Sequence, residues 1–120
     1  MTAFEPAAVY LFGSVAEGRT RPGSDVDIAV LFRKPITAAA LFELRNDLAE
    51  ALSSDVDLID LSTATTVMRK EVLRTGWMIF EADRLRREEF EMYALSDYAR
   101  LNEERVPVLA ALQQPLPVHA

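Results

Sequence analysis

The chain has 120 residues, half of them hydrophobic, and a formal net charge of -6. This length favours a single domain with a sizeable core, and the absence of cysteine excludes disulfide bonds, thiolate metal sites and thiol chemistry. No segment approaches the roughly 20 apolar residues of a membrane span, and an acidic chain suits a polynucleotide backbone poorly, so we expect a cytoplasmic protein that binds neither membranes nor nucleic acid directly.

The first predicted elements are two apolar strands on either side of a glycine-containing stretch. Hydrophobic runs predict strands over 7–12 and 25–32, with a short helix over 14–17 between them. Alternate residues of a strand share a face, so Asp25 and Asp27 point to one side of the second strand and the apolar residues around them point to the other.

A helix is predicted next. Thr37 is a suitable N-cap, leucines recur after it at helical spacing, and the pair Ser53 and Ser54 ends the element.

The third predicted strand, over 55–61, is again acidic. Alternation places Asp55 and Asp57 on one face, with the apolar Val56 and its neighbours on the other. Asp60 falls on the face opposite Asp57, and we interpret it as a strand-end or helix-cap acid.

A further helix and a fourth strand complete the predicted sheet. Ser62 or Thr63 is predicted to cap the helix, which ends at Gly76. Residues 77–80 are predicted to form a short strand, whose Trp77 and other apolar side chains we expect in the core rather than stacked on a base.

Residues 83–120 are predicted to be a helical tail of the same domain. An apolar stripe runs down this segment, and Pro107 is expected to kink or interrupt the helix. The stripe either folds back onto the sheet or is shared with a partner subunit. Its members are Phe90, Ala94, Tyr98, Leu101, Val108 and Leu112.

The spacing of glycine, serine and paired acids has a chemical meaning. Gly13 lets the backbone approach a ligand closely, and Ser14 offers a hydroxyl and an N–H at a helix start, where phosphate oxygens bind well. Asp25 and Asp27 repel each other unless a divalent cation lies between them, and Mg²⁺ is typically held by such carboxylates together with substrate phosphates. The alternative is an ordinary surface turn over 22–25 with a solvated acid at the strand entrance.

The segment from Phe12 to Val30 resembles the GS-x10-DxD signature of the DNA polymerase β superfamily of nucleotidyltransferases, in its minimal single-domain form (MNT). Within that group the chain is most similar to the MntA-type antitoxins of HEPN/MNT toxin–antitoxin systems. The resemblance implies the α/β (α+β) nucleotidyltransferase fold, with a small mixed sheet of about four strands, helices packed on it and a long C-terminal helix. Residues 1–82 would form the nucleotidyltransferase core.

The resemblance also implies the site. ATP would be the substrate, with Gly13 and Ser14 binding its phosphates. Asp25, Asp27 and a third carboxylate would act in catalysis and hold Mg²⁺, with two ions expected. Asp57 matches the third position best; its competitor Asp55 shares the face but sits nearer the loop. Arg19, Arg21, Arg33 and Lys34 are near enough in sequence to meet triphosphate charge, but ordinary surface exposure accounts for each of them better.

The implied activity is transfer of AMP from ATP to a tyrosine hydroxyl of a cognate HEPN ribonuclease toxin, which would silence the toxin. Two alternatives stay open at this point. The chain could neutralise its toxin by binding alone, or it could transfer a nucleotide to a small molecule. Assembly as a homo-oligomer or as a hetero-oligomer with the toxin is also left open.

Overall fold

The computed structural model describes residues 5–13 and 25–113, and in the last helix it describes side chains as far as residue 105. Four strands in these ranges form one sheet in the order β3-β2-β1-β4. β1 pairs antiparallel with β2 and with β4, whereas β2 and β3 run parallel. The strands are β1 (Pro6–Phe12), β2 (Val26–Phe32), β3 (Val56–Asp60) and β4 (Trp77–Glu81).

Three helices of the described residues complete the fold: α1 (Ala38–Leu52), α2 (Thr66–Thr75) and α3 (Arg84–Gln113). The mixed sheet and the long last helix confirm the predicted fold class. The short helix predicted over 14–17 lies outside the described residues. In the described part of the chain, no helix combines the length and hydrophobicity needed to cross a bilayer.

Both ends of α1 are set by the predicted residues. The Thr37 hydroxyl accepts a hydrogen bond from the Ala40 N–H at 3.1 Å, which satisfies one of the free donors of the first turn. Ser53 closes the helix in the left-handed conformation, with φ of 51°, and its N–H donates to the Glu50 carbonyl.

The predicted cap of α2 is wrong. Thr65 is the N-cap and accepts from the Met68 N–H at 3.1 Å, whereas Ser62 and Thr63 belong to a turn held by Asp60. The Ser62 N–H donates to the Asp60 carboxylate at 2.9 Å, and the Thr63 N–H donates to the Asp60 carbonyl. Because the N–H groups of Ser62 and Thr63 are bonded to Asp60, the helix starts only after this turn. Asp60 is therefore a strand-end acid, as predicted.

Described helices pack on both faces of the sheet, two on one face and one on the other. The helix-pair face is covered by α2 and α3, where Val72, Phe90 and Ala94 pack against Tyr10 and Phe12. The single-helix face is covered by α1, whose Leu44 packs against side chains of β1, β2 and β3. The strand residues of the single-helix face include Val9, Ile28, Val30, Phe32, Val56 and Leu58.

The apolar stripe of α3 folds back onto the helix-pair face. Phe90 and Ala94 are buried, Tyr98 and Leu101 are half-buried, and the helix continues past Pro107 to residue 113. The predicted interruption at Pro107 is therefore wrong, while the predicted kink stays a prediction. The side chains of Val108 and Leu112 lie outside the described part of the stripe.

The predicted burial of residues 77–80 is also wrong. All four side chains are between 44% and 63% exposed, Trp77 most of all. β4 is the edge strand beside β1, and α1 packs over β2 and β3 at the other side of the sheet. The apolar run thus predicted a strand correctly, but no described helix covers it.

A polar network ties β1, β4 and α3 together. The buried Tyr10 hydroxyl donates to Glu91 at 2.9 Å, and Arg87 donates to Glu91 at 2.8 Å and to Glu81. Burial and the Glu91 carboxylate raise the pKa of Tyr10, so its hydroxyl remains a donor across the physiological range. The network fixes α3 against the middle of the sheet.

Tyr10→Phe removes this donor and leaves the Glu91 carboxylate without the bond. We expect the free energy of unfolding, measured by urea denaturation, to fall by about 1.5–3 kcal/mol, as for a hydrogen bond to a charged group. Tyr93→Phe makes the same chemical change on a side chain that is 62% exposed, and it should cost less than about 0.5 kcal/mol. Equal losses in the two variants would contradict this role for Tyr10.

Candidate active site

Two carboxylates meet at one end of the sheet. Asp27, the second residue of β2, is in register with Phe12 of β1 and with Asp57 of the parallel strand β3. Residues paired across neighbouring strands share a face, so both acids lie on the side of the sheet to which Phe12 points, the helix-pair face. Adjacent strands are about 4.8 Å apart, so the two side chains are direct neighbours.

Asp25 joins this pair from the approach to β2. It is exposed and lies just before the strand, two residues from Asp27. Burial raises the pKa of the Asp27 carboxyl, and the negative charges of Asp57 and Asp25 raise it further. The structure therefore brings Asp25 and Asp57 within electrostatic reach of Asp27. Asp55, the competitor for the third position, does not contribute to this shift.

Gly13 lies directly against the pair. It follows β1 with φ of +74°, a left-handed conformation that favours glycine. A Cβ at this position would collide with the Asp27 carboxylate oxygen and come within 3.0 Å of the carboxyl carbon. Gly13 thus lies close to Asp27 in the structure, and its predicted contact with a ligand phosphate stays a prediction. Ser14, the other predicted phosphate-binding residue, lies outside the described residues.

No arginine or lysine within 5–13 and 25–113 forms an ion pair with Asp25, Asp27 or Asp57. In the same ranges no group of three acidic or histidine side chains is arranged to hold a metal ion. Like charges repel, so carboxylates without a bound cation are expected to spread rather than converge.

The residues nevertheless fit a hard divalent cation. Carboxylate oxygens are the ligands that Mg²⁺ prefers, and one or two of them suffice when substrate phosphates complete the shell. The pKa of Asp27 is raised because its negative charge is unfavourable beside the other acids. A bound cation would favour the ionised carboxylate and lower this pKa again.

The described basic residues near this segment lie elsewhere. Arg33 pairs with Asp83 at 3.5 Å and Lys34 with Glu5 at 3.4 Å, beyond the end of β2 opposite Asp27. These positions agree with the interpretation of both as surface residues. Arg19 and Arg21 lie outside the described residues.

Sequence reasoning missed one contact of the site, the packing of Gly13 on Asp27. The contact follows from the register that sets Phe12 opposite Asp27, because the residue after Phe12 then reaches the same carboxylate. The sequence could have indicated this contact through the order of its strands. When two consecutive strands pair antiparallel, as β1 and β2 do, the end of the first lies beside the start of the second.

A family comparison agrees with this geometry. The family described as polymerase beta, nucleotidyltransferase, matches residues 1–85 of the chain. The protein adenylyltransferase MntA of Shewanella oneidensis is 39% identical over 104 residues, which span 84% of this chain and 72% of that protein.

Solved structures extend the similarity to the whole fold. A toxin–antitoxin complex with AMP-PNP contains a chain that is 35% identical, with a TM-score of 0.80, covering 92% of this chain and 88% of that one. A complex of tri-AMPylated Shewanella oneidensis HEPN toxin with an MNT antitoxin contains a chain that is 34% identical, with a TM-score of 0.73 and coverage of 92% and 85%. Sequence, register and fold agree, and the chain belongs to the polymerase-β-type nucleotidyltransferase family.

Proposed function

We propose that this chain is a cytoplasmic antitoxin that acts as a protein adenylyltransferase, transferring AMP from ATP to a tyrosine hydroxyl of a HEPN-type ribonuclease toxin. The observation that carries the proposal is the in-register pair Asp27 and Asp57, with Asp25 beside it and the Gly13 turn against it. The similarity to MntA and to solved complexes of toxin, antitoxin and a nucleotide analogue supports the choice of donor and partner.

The proposed reaction assigns a task to each residue. Gly13 and Ser14 hold the triphosphate at the end of β1. Asp57 takes the proton of the tyrosine hydroxyl, and the oxygen attacks the α-phosphorus of ATP. The bond from the α-phosphorus to the oxygen that bridges to the β-phosphate breaks, and pyrophosphate leaves. The tyrosine keeps AMP as a phosphodiester.

Asp25, Asp27 and Asp57 would hold Mg²⁺, with two ions proposed. When bound, the metal neutralises the triphosphate and leaving-group charge and makes the acceptor hydroxyl easier to ionise. The carboxylates of Asp25 and Asp57 are exposed, which leaves them accessible to ligands and free to reorient.

Binding without chemistry is the alternative, and amide variants separate the two. Asp27→Asn and Asp57→Asn keep the side-chain shape but remove the charge. We expect each to lower transfer of label from α-labelled ATP to the toxin by at least about 100-fold, as for loss of a general base or a metal ligand. Asp55→Asn, directly before the strand of Asp57, should retain activity within a few-fold.

The toxin's ribonuclease activity gives the second readout of the same experiment. Under the proposal, Asp27→Asn fails to silence the toxin when ATP and Mg²⁺ are supplied. Full neutralisation by this variant with no label on the toxin would establish inhibition by binding alone. Label on a nucleoside or another small acceptor, but not on the toxin, would assign the chain to small-molecule transfer.

Asp27 also makes the metal-free protein sensitive to pH. Because its folded pKa is raised, the stability associated with the protonated carboxyl is present below the ordinary value of 3.8 and is lost as pH rises through the folded value. We therefore expect Asp27→Asn to be more stable than wild type at pH 7 in chelator, with the gain disappearing near pH 3, by urea denaturation. Added Mg²⁺ should shrink the gain at pH 7, because it favours the ionised carboxylate. A pH-independent difference would contradict this origin.

Gly13→Ala tests the contact between the turn and the acid. The left-handed backbone and the collision with Asp27 should together lower the free energy of unfolding by about 1–2 kcal/mol or more. Asp27→Ala removes the carboxyl atoms that collide with the new Cβ. The double variant, with Gly13→Ala and Asp27→Ala, should therefore lose less stability than the two single variants added together. Strict additivity in the double-mutant cycle would rule out the contact.

A further inference from the structure

Three groups assigned to the reaction lie in one row across the sheet. Asp57 of β3 is in register with Asp27 of β2, Asp27 is in register with Phe12 of β1, and Gly13 follows Phe12 directly. The strand order β3-β2-β1 therefore puts the proposed general base at one end of the row and the proposed phosphate turn at the other. With strands about 4.8 Å apart, the two ends are separated by roughly 10 Å.

This row fixes the direction from which an acceptor arrives. In phosphoryl transfer the attacking and leaving oxygens lie roughly in line, on opposite sides of the phosphorus. If pyrophosphate leaves at the Gly13 end, on β1, the tyrosine oxygen has to attack from the β3 end, where Asp57 takes its proton. β3 is the outer strand on that side of the described sheet, so the acceptor protein arrives over β3.

The turn between α1 and β3 lies at this entrance. It comprises residues 53–55 and leads directly into the strand that carries Asp57. Two of its N–H groups donate to carbonyls in the last turn of α1, and the Asp55 carbonyl accepts from the Val26 N–H at 2.9 Å. The turn is thus held to α1 on one side and to β2 on the other.

The same surface is negatively charged. Between Asn46 and Met68 the sequence contains five acids and no arginine or lysine. Of these acids, Glu50 and Asp55 are exposed and form no ion pair within the part of the chain that the structure describes. The carbonyls at the end of a helix carry partial negative charge, which a base in the last turn would offset, and α1 has no base there. We call Glu50 and residues 53–55 the acceptor surface.

We propose that the acceptor surface binds a basic segment of the toxin beside the tyrosine that receives AMP. The partner and the direction of attack rest on the proposed function, whereas the negative charge and its place next to Asp57 are properties of this chain. A ribonuclease binds a polyanion and therefore carries a basic face. Opposite charge on the acceptor surface would steer that face to the site and fix its orientation before transfer.

Two other occupants fit this surface poorly. A polynucleotide would be repelled by the acids. A second copy carries the same net charge of -6, and Arg84 and Arg87, at the start of its α3, are already paired with acids of their own chain. Charge complementarity therefore favours a basic acceptor protein.

Charge reversal on α1 tests the proposal. Glu50→Lys changes the acceptor surface, and Glu43→Lys is its control, since Glu43 is also exposed and lies seven residues earlier, about two turns further from the site on the same side of the helix. At low ionic strength we expect Glu50→Lys to raise the KM for the toxin about three- to tenfold with kcat within about twofold of wild type. Glu43→Lys should leave both constants unchanged. In about 0.5 M salt the difference should largely disappear, because exposed charges are screened.

Calorimetry without ATP separates association from transfer, and urea denaturation verifies that both variants are folded. Equal losses of affinity in both variants would attribute the effect to net charge, and a loss that persists in high salt would exclude a charge contact; either result overturns the proposal. A wild-type dimer that Glu50→Lys alone makes monomeric would assign the surface to a second copy.

The two proposals fail in distinguishable ways. A wild-type protein that binds the toxin but never labels it, with weaker binding in Glu50→Lys alone, would support the acceptor surface and refute the adenylyltransferase. Labelling by wild type with unchanged KM and affinity in Glu50→Lys would support the adenylyltransferase and refute the acceptor surface.

Discussion

The site depends on the parallel register that sets Asp27 of β2 beside Asp57 of β3. Side by side on neighbouring strands, the two carboxylates have no backbone freedom to separate, and only their side chains can turn away. The raised pKa of Asp27 is the electrostatic consequence. A fold that maintains such repulsion at a strand entrance is suited to a ligand that brings positive charge, because the ligand converts an unfavourable pair into a binding site.

The rest of the sheet supports this register. β1 holds the other side of β2 and ends in the Gly13 turn against Asp27, while the apolar residues of β2 are buried below the acids. A shift of β2 by one residue would exchange the side chains of its two faces. The small Ala29 would then replace larger side chains on the single-helix face, and Asp27 would leave the helix-pair face, so core packing fixes the position of this carboxylate. The network from Tyr10 through Glu91 to Arg87 then fixes α3 on the same face.

The features that the sequence predicts well are those determined locally. Alternation in β2 and β3, the Thr37 cap and the Ser53 end of α1 each depend on residues a few positions apart, and the structure has them as expected. Thr65 was missed as a cap because Ser62 and Thr63, the nearer candidates, belong to a turn around Asp60, so the helix starts only after that turn. The exposure of Trp77 was missed for a different reason. Its strand was correctly predicted, but burial depends on which helix lies above it, and that is decided by the tertiary arrangement.

The two faces of the sheet have different tasks. The helix-pair face is covered by α2 and α3 and carries Asp27 and Asp57 at one end, where no arginine or lysine of the described residues pairs with them. A metal nucleotide would bring positive charge to that end. The single-helix face carries no acid of this pair and holds β2 and β3 in register through the packing of Leu44 on their apolar side chains. β1 takes part in both tasks, since Val9 packs on the single-helix face and Gly13, directly after the strand, lies against Asp27.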